Sequence, residues 1–353
     1  MSNRKILHVI DTFWLGGAQQ VVKRLMENGG DHMHALALRK TPEMIDIDHP
    51  YVTVVDSDKK WNFYVAAKTI QAIIKRENID ILHCHLPKSQ TIGLYIKWRH
   101  PHITLVFQEQ GDIMNPFPFN WPVYVLGRKK IALVIACSQA VARALARKTT
   151  FPANKTVVLH NPPAIQAKSP VESDDFSIGF AGRITKHKGW RDLLDGVDIL
   201  AKKHPNLSIS LQMAGVGPEI EALLTRAKSL PNNVHFHHHG MMHSMADFYR
   251  TIKVLAVPSH LEPVGMVHLE GMLCGAAVIA SNVEGMNEVL IHGENALLFP
   301  PKTPSAIAHT LERLVDEKQR KTLAESGRQS VKRYAFSAFK AALEKHYQNI
   351  SAT

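Results

Sequence analysis

Two carboxylates in one short segment, EPVGMVHLEG at residues 262–271, are the first groups in this sequence that could do chemistry. Glu262 and Glu270 stand eight positions apart among residues that are mostly apolar or glycine. An ionised carboxylate is costly to bury unless a partner hydrogen-bonds to it or neutralises it. We therefore expect a ligand here: Glu270, on a mostly apolar helix, would accept hydrogen bonds from a vicinal diol such as a ribose, and Glu262 from hexose hydroxyls. The alternative is a solvated helix face with a loop charge.

A basic loop, GRITKHKG at residues 182–189, follows the apolar stretch FSIGFAG. Arg183 and Lys188 would lie just beyond a strand end, where a guanidinium and an ammonium suit a diphosphate through one bidentate contact and one point charge. The alternative is a solvated basic loop, which is common on protein surfaces.

In the first half of the chain, Gly16 and Gly17 open a predicted helix. They would expose backbone N–H groups to an anion, unless they form only a glycine turn.

These loops must be positioned by strands and helices, which alternate through both halves of the chain. Near-continuous apolar stretches predict strands at residues 5–10, 79–85, 103–108 and 131–137, and the rhythm restarts with FSIGFAG after a proline-containing linker at 161–175. Apolar strands that alternate with helices indicate parallel sheets covered on both faces. In such sheets ligands bind beyond the carboxyl ends of the strands. The sequence therefore predicts two doubly wound α/β domains that face a cleft.

Length and composition narrow the class of protein. A chain of 353 residues is too long for one ordinary core. No apolar run is long enough to span a bilayer, and the start MSNRKILHVID lacks the apolar stretch of a signal peptide. Cys84, Cys137 and Cys274 sit among apolar neighbours, which suits reduced thiols in a cytoplasmic protein. The net charge of +11 would attract a phosphorylated ligand or an anionic membrane. We expect no nucleic-acid partner, because the sequence has no zinc-finger or RNA-binding signature.

Taken together, the motifs are similar to those of a known enzyme family. The segment E-P-V-G-M-V-H-L-E resembles the glutamate–seven residues–glutamate motif of GT-B retaining glycosyltransferases of family four (glycosyl transferases group 1), of the bacterial lipopolysaccharide and capsule type. The resemblance extends to GRITKHKG, AGVGPE at 214–219, VPSHLEP, GMNEV at 285–289 and the GGA loop at 16–18, so it covers nearly the whole chain. Each motif is weak alone, but the ordered combination is specific.

The resemblance implies a GT-B fold of class α/β, in which two doubly wound Rossmann-like domains face a cleft and a C-terminal helix crosses back to the first domain. Residues 1–165 would form the N-terminal acceptor-binding domain and residues 166–335 the C-terminal nucleotide-sugar-binding domain. Residues 336–353 would form the helix that packs on the N-terminal domain.

The resemblance also implies a role for each matching residue. Glu262, Arg183 and Lys188 are the predicted catalytic residues, with Arg183 and Lys188 on the donor's diphosphate and Glu262 on its sugar. The predicted nucleotide-sugar-binding residues are Gly16, Gly17, Gly182, Val264, Gly265, Met266 and Glu270, the last on the ribose. The donor would be a nucleotide-diphosphate sugar, with UDP as the expected nucleotide, and neither a cofactor nor a metal is expected. Transfer would be a same-face substitution through an oxocarbenium-like transition state, with the departing phosphate as base for the acceptor hydroxyl.

The sequence departs from the family pattern at the reacting centre. Family members often carry a histidine before a glycine there, whereas this chain has Gln110 in FQEQGD at residues 107–112. Glu109 and Gln110 are therefore the acceptor or reacting-centre candidates, and a general base here lacks its usual residue. Val264 replaces the usual phenylalanine, a change expected to alter packing rather than chemistry.

Two patterns suggest metal binding but fit it poorly. The triplets at 46–48 and 56–58 match a D-x-D metal motif, but neither follows a buried strand. In HFHHHG at residues 235–240, alternation along a strand would send neighbouring imidazoles to opposite faces. Elsewhere, His83 and His85 flank Cys84 at a strand end, where we expect core or rim packing; the alternative is that they face the cleft.

One segment points to the acceptor. IMNPFPFNWPVYVLGRKK, residues 113–130, interleaves Phe, Trp and Tyr with prolines and ends in Arg128, Lys129 and Lys130. Aromatic side chains beside a basic cluster suit the interface of an anionic membrane. The alternative is a loop packed on its own domain. The first interpretation favours a lipid-linked or lipopolysaccharide acceptor and a peripheral location on the inner face of the cytoplasmic membrane.

The leading prediction is a retaining glycosyltransferase that moves a hexose or N-acetylhexosamine from a UDP-sugar to a growing surface glycan such as lipopolysaccharide. One alternative is transfer to a small soluble acceptor, such as a thiol, a polyol or a sugar phosphate. The other is a non-catalytic nucleotide-sugar-binding subunit, in which Gln110 marks lost chemistry.

Overall fold

The structure is a computed structural model that describes residues 4–14, 16–42, 44–45, 47–59, 62–171, 173–242 and 244–350. The chain divides into two compact units, the first made of Met1–Ala164 with Phe336–Thr353 and the second of Ile165–Ala335. Each unit is built on its own parallel sheet. The predicted fold class, α/β with two doubly wound sheets, is confirmed.

The first unit has a seven-stranded sheet in the order β3-β2-β1-β4-β5-β6-β7. Its strands are β1 (Ile6–Ile10), β2 (Met33–Ala37), β3 (Val52–Val54), β4 (Ile81–His85), β5 (Thr104–Glu109), β6 (Ile131–Ala136) and β7 (Thr156–Val158). Its helices are α1 (Gly17–Gly29), α2 (Phe63–Glu77), α3 (Pro87–Arg99), α4 (Trp121–Gly127), α5 (Gln139–Thr149) and α12 (Phe336–Asn349). Every residue of β1, β4 and β5 is buried, as the continuous apolar stretches require of strands covered on both faces.

The second unit has a six-stranded parallel sheet in the order β10-β9-β8-β11-β12-β13. Its strands are β8 (Phe176–Ala181), β9 (Ile209–Ala214), β10 (Val234–Gly240), β11 (Val254–Val257), β12 (Ala277–Ser281) and β13 (Leu297–Phe299). Its helices are α6 (Trp190–Lys203), α7 (Ile220–Ala227), α8 (Met245–Tyr249), α9 (Val267–Leu273), α10 (Pro304–Arg313) and α11 (Glu317–Val331). The strand order reverses between β8 and β11, so the loops that follow these two strands flank the switch point where ligands bind in such sheets.

The last helix, α12, belongs to the first unit although it follows the second unit in sequence. It buries Phe336, Phe339, Leu343 and Tyr347 in the same apolar cluster as Ile6 and other residues of β1, α1 and β2. Burying side chains of this size stabilises a fold by about 2 kcal/mol each. The expected return of the C-terminal helix to the first domain is therefore confirmed. Among the residues that the structure describes, no helix is both long and apolar enough to cross a membrane.

His8, His83 and His85 form a cluster in the interior of the first unit. Parallel pairing of β1 with β4 sets His8 opposite His83 and Ile10 opposite His85, and all three imidazoles are fully buried. His8 Nδ1 and His85 Nε2 share a hydrogen bond of 3.0 Å, and His83 Nδ1 shares one of 2.5 Å with the hydroxyl of Tyr347 on α12. The expected core packing of His83 and His85 is what the structure has, and it ties α12 to the centre of the sheet.

Burial keeps these imidazoles neutral, so acid should destabilise the first unit. Burial lowers the pKa of His8 from 6.5 to about 3, and burial with the neighbouring histidines lowers the pKa of His83 and of His85 well below 6.5. In the unfolded chain each would take up a proton near its ordinary pKa. The stability that these groups contribute is therefore fully present above pH 6.5, and it should fall below that pH by about 1.4 kcal/mol per pH unit for each histidine.

Urea unfolding at several pH values measures this slope. His8→Gln should reduce the slope by the contribution of one histidine, whereas His102→Gln, at an exposed position of the same unit, should leave it unchanged. Equal slopes for the wild type and His8→Gln would contradict the account.

Candidate active site

The candidate site of the second unit is built from loops that follow β8, β9, β11 and β12. Their backbones lie so close together that several positions admit only glycine. A side chain at Gly215 (φ +132°) would collide with the carbonyl oxygen of Gly182, and one at Gly189 (φ +68°) with that of Pro258. Both φ values also lie in the region that favours glycine. The spacing of the sequence motifs therefore reflects backbone contact between the loops.

An ion pair joins two of these loops. Lys188 Nζ, after β8, donates to Glu262 Oε2, after β11, at 2.6 Å, and Ser259 Oγ donates to the same oxygen at 3.1 Å. Only 24% of the Lys188 side chain and 9% of the Glu262 side chain are exposed. Burial alone would raise the pKa of Glu262, but the charge of Lys188 and the two hydrogen bonds outweigh it and hold that pKa below its usual range. The carboxylate is thus ionised because Lys188 neutralises it.

A backbone hydrogen bond reinforces the same pair of loops. His260 N donates to the carbonyl oxygen of His187 at 2.7 Å, and His260 Nε2 lies 2.5 Å from Asp192 Oδ2 at the start of α6. Arg183 lies in the β8 loop with an exposed side chain, directly after Gly182 (φ +147°). The structure therefore brings Lys188 and Glu262 together and leaves Arg183 at the surface of the same loop.

The second glutamate of the opening segment lies in the first turn of α9 and is 7% exposed. Its Oε2 accepts a hydrogen bond of 3.0 Å from the hydroxyl of Tyr249, which is 1% exposed. Between the two glutamates, the chain turns at Gly265 (φ +78°), the side chain of Val264 is buried in the apolar core, and Met266 precedes α9. Both Glu262 and Glu270 are thus buried carboxylates with hydrogen-bond donors, and neither lies on a solvated face.

In the first unit, the candidate residues follow β1 and β5. Gly16 is the N-cap of α1 and Gly17 its first residue, and both are exposed. Gln110 Oε1 accepts a hydrogen bond of 2.6 Å from Asn161 Nδ2, which directs the amide N–H₂ of Gln110 away from Asn161. That orientation makes Gln110 a hydrogen-bond donor to any further partner.

The other reacting-centre candidate, Glu109, is only 1% exposed and has four hydrogen-bond donors. Its Oε1 accepts from the backbone N–H of Gly111 and Ile113 at 3.1 and 3.2 Å, and its Oε2 from Asn120 Nδ2 and the Tyr124 hydroxyl at 2.8 and 2.6 Å. These contacts engage both carboxylate oxygens in holding the loop before α4. Gln110 is therefore the better placed of the two to meet a substrate.

Comparison with family models identifies the chain. Residues 162–330 match the model described as glycosyl transferases group 1, and residues 15–163 match the model described as glycosyltransferase family 4. The two matches follow one another and fall on the second and first units. The chain belongs to the retaining glycosyltransferases of family four.

The relatives of this glycosyltransferase include archaeal and bacterial proteins. An uncharacterized glycosyltransferase of Methanocaldococcus jannaschii is 26% identical over 294 residues, which are 81% of this chain and 80% of that protein. The capsular polysaccharide biosynthesis glycosyltransferase CapM of Staphylococcus aureus is 30% identical over 164 residues, which are 45% of this chain and 42% of CapM.

Solved structures share the fold. Anabaena HepE, in complex with UDP and glucose, has a TM-score of 0.81 at 20% identity and covers 98% of this chain and 100% of its own. The lipopolysaccharide outer core galactosyltransferase WaaB has a TM-score of 0.71 at 16% identity and covers 98% of both chains. The fold of this glycosyltransferase is therefore GT-B.

Among the described residues, His8, His83 and His85 form the group that could hold a metal ion, with one nitrogen of each within 4.8 Å of the others. One nitrogen of His8 and one of His85 already share a hydrogen bond, and one nitrogen of His83 shares another with the Tyr347 hydroxyl, so contacts within the core hold all three rings. Asp46 of the first D-x-D triplet lies outside the described residues, and Asp56 of the second is 89% exposed and pairs with Lys40.

The histidine run at residues 235–240 forms part of β10, an edge strand of the second sheet. His235, His237 and His239 are exposed on one face, whereas His238 Nε2 donates to the carbonyl oxygen of Gly215 at 2.8 Å. Alternation along the strand therefore separates neighbouring imidazoles, as the sequence predicted.

Two functional candidates in this glycosyltransferase were missed by the sequence reasoning. Asp11 directly follows β1 and accepts a hydrogen bond of 2.9 Å from the backbone N–H of Ser89, and burial raises its pKa to about 6. Asp112 follows β5, and burial with the charges of Glu109 and Asp11 raises its pKa to about 6. The sequence did offer one signal, since both residues follow predicted strands. In such folds, acid–base groups with shifted pKa values collect in the loops after the strands.

Proposed function

We propose that this glycosyltransferase moves a hexose or N-acetylhexosamine from a UDP-sugar to a surface glycan such as lipopolysaccharide. The observation that carries the donor half of the proposal is the buried pair of Lys188 and Glu262 at the carboxyl ends of β8 and β11. The complex of HepE with UDP and glucose supports a UDP-sugar donor. The names of WaaB and CapM support a lipopolysaccharide or capsule acceptor.

On this proposal, donor binding breaks the ion pair between Lys188 and Glu262, and each partner then contacts the donor. Diphosphate oxygens take over Lys188, with Arg183 as a second cation from the same loop, and Glu262 then accepts hydrogen bonds from the donor sugar. Glu270 accepts from the ribose hydroxyls, and the backbone of Gly182 and of residues 264–266 approaches the donor. In the first unit, Gly16 and Gly17 contribute backbone N–H groups to the donor.

The chemistry is a same-face substitution at the sugar's anomeric carbon. The bond from that carbon to the diphosphate oxygen breaks, the acceptor hydroxyl oxygen forms the new bond, and its proton passes to the departing phosphate. Lys188 and Arg183 stabilise the negative charge that develops on the diphosphate. Electrostatic stabilisation of this kind is usually the largest single contribution to an enzyme's rate enhancement. Asp11, Asp112 and Gln110 are proposed to hydrogen-bond the acceptor.

Thermal unfolding in the presence of UDP, GDP, ADP or CMP tests the donor site. A ligand at about a hundred times its dissociation constant adds roughly 2.7 kcal/mol to the free energy of unfolding. We expect UDP to stabilise the wild type and not Lys188→Ala, because the variant loses the diphosphate's cation. Lys186→Ala removes an exposed lysine of the same loop and should respond like the wild type.

The proposal fails if none of the four nucleotides stabilises the protein, or if Lys188→Ala responds as strongly as the wild type. Binding of UDP without any hydrolysis or transfer of a UDP-hexose would favour the non-catalytic alternative. Transfer to a thiol, polyol or sugar phosphate in place of a glycan would favour the small-acceptor alternative.

We further propose that the first unit binds an anionic membrane through residues 113–130. Phe117 is 96% exposed, Leu126 66% and Phe119 59%. A hollow of about 290 Å³ is lined by Phe117, Trp121 and Lys148, together with two prolines. Arg128, Lys129 and Lys130 are exposed at the end of the same segment. Tyr124, by contrast, is buried on Glu109 and is not part of this surface. Exposed aromatic side chains beside three cations suit the interface of an anionic bilayer.

Sedimentation with vesicles tests the membrane proposal. Each cation near an anionic surface contributes about 1 kcal/mol, so replacing Arg128, Lys129 and Lys130 by glutamine should weaken binding to phosphatidylglycerol vesicles about 100-fold at low salt. A matched variant that replaces the exposed Lys202, Lys203 and Lys318 of the second unit should bind like the wild type. Equal loss in both variants, or no preference for anionic over phosphatidylcholine vesicles, would overturn the proposal.

A further inference from the structure

Tyr249, the last residue of α8, is a buried polar side chain to which the chemistry above gives no role. Its hydroxyl donates to Glu270 Oε2 at 3.0 Å, and the side chains of both residues are almost fully buried. Burial and the charge of Glu270 raise the pKa of Tyr249 well above its usual value. The phenol therefore keeps its proton and stays a hydrogen-bond donor to the carboxylate.

The backbone of Glu270 is held independently of Tyr249. Glu270 N donates to Met266 O at 2.9 Å and Cys274 N donates to Glu270 O at 3.1 Å, as expected within a helical turn. The neighbouring Gly271 packs directly against the side chain of Leu255 on β11. These contacts fix where the side chain starts, but they do not fix rotation of the carboxylate plane, which is a broad torsion in glutamate.

Recognition of a vicinal diol depends on that rotation. Two adjacent hydroxyls are best met when both carboxylate oxygens lie in the plane that contains them. A carboxylate offers about four acceptor positions, so an oxygen that accepts from Tyr249 can still accept from a ligand hydroxyl. A hydrogen bond from a rigid, buried phenol therefore restricts the plane without occupying the oxygen fully.

We propose that Tyr249 is a positioning residue that sets the carboxylate plane of Glu270 for the two ribose hydroxyls of the donor nucleotide. The inference rests on the proposed function in one respect, the assignment of Glu270 to the ribose. The inference also predicts an effect that does not follow from placing Glu270 on the ribose. Preference for ribose over 2′-deoxyribose depends on the Tyr249 hydroxyl, although that hydroxyl does not touch the nucleotide.

Calorimetric titration with UDP and with 2′-deoxy-UDP tests this inference. A hydrogen bond to a charged group gives the wild type a preference for UDP of about 10- to 100-fold. Tyr249→Phe keeps the ring in the core and removes only the hydroxyl. We expect the preference to fall about three- to tenfold, through weaker binding of UDP with little change for 2′-deoxy-UDP.

A matched control is available in the first unit, where the Tyr124 hydroxyl donates to buried Glu109 at 2.6 Å. Tyr124→Phe removes a comparable tyrosine–glutamate hydrogen bond and should leave the UDP preference unchanged. Glu270→Gln provides a second test, because it compares the effect of Tyr249→Phe with and without the glutamate carboxylate. In the Glu270→Gln background, adding Tyr249→Phe should reduce the preference no further, because both changes act on one interaction.

The outcomes separate the two levels of the account. If the wild type prefers UDP and Tyr249→Phe keeps that preference, or loses affinity equally for both nucleotides, Tyr249 has only a structural role and the inference is wrong. If the wild type binds UDP without preferring it, Glu270 does not meet the ribose, and the inference falls while the donor class stands. If the wild type does not bind UDP, the proposed function itself fails.

Discussion

The buried ion pair of Lys188 and Glu262 is the constraint on which the second unit depends. Its partners are 74 residues apart and come from loops after different strands, so the carboxylate can be buried only when both loops adopt their native positions. Removing one partner would leave an uncompensated charge with little access to water, which is strongly destabilising. Replacing both partners with neutral residues of similar size is often harmless to stability. A buried pair of this kind is therefore poorly explained by stability, and a ligand that uses each partner separately explains it better.

Several features follow from holding these loops together. Gly215 and Gly189 permit contacts between loop backbones that any side chain would block, and the hydrogen bond from His260 to His187 closes the gap between the β8 and β11 loops. The parallel sheet supplies the frame, since all of these loops leave the same edge of one sheet. In the first unit the corresponding edge carries Asp11 and Asp112, and burial raises the pKa of each to about 6, in Asp11 despite the nearby charges of Lys88 and Arg39.

Much of this architecture was predictable from the sequence, because local patterns determine it. Continuous apolar stretches identified β1, β4, β5 and β6, and the strand end at residues 257–259 placed Glu262 in a loop and Glu270 in the helix that follows. The strands β2 and β3 were missed: β2 contains two alanines, a residue type depleted in strands, and β3 has only three residues. Contacts between distant residues were also beyond reach. Nothing in the sequence pairs Tyr249 with Glu270, Asn161 with Gln110, or Tyr347 with His83, because each pairing depends on how separate elements pack.

The most direct test of the account compares the free energy of unfolding and the UDP affinity of Lys188→Met, Glu262→Gln and the double variant. If the pair is retained for the donor, Lys188→Met alone should lose about 2–3 kcal/mol, less than a fully buried pair because Lys188 keeps some contact with water. The double variant should recover to within about 1 kcal/mol of the wild type and yet fail to bind UDP. A double variant as unstable as Lys188→Met, or one that binds UDP as tightly as the wild type, would contradict the central claim.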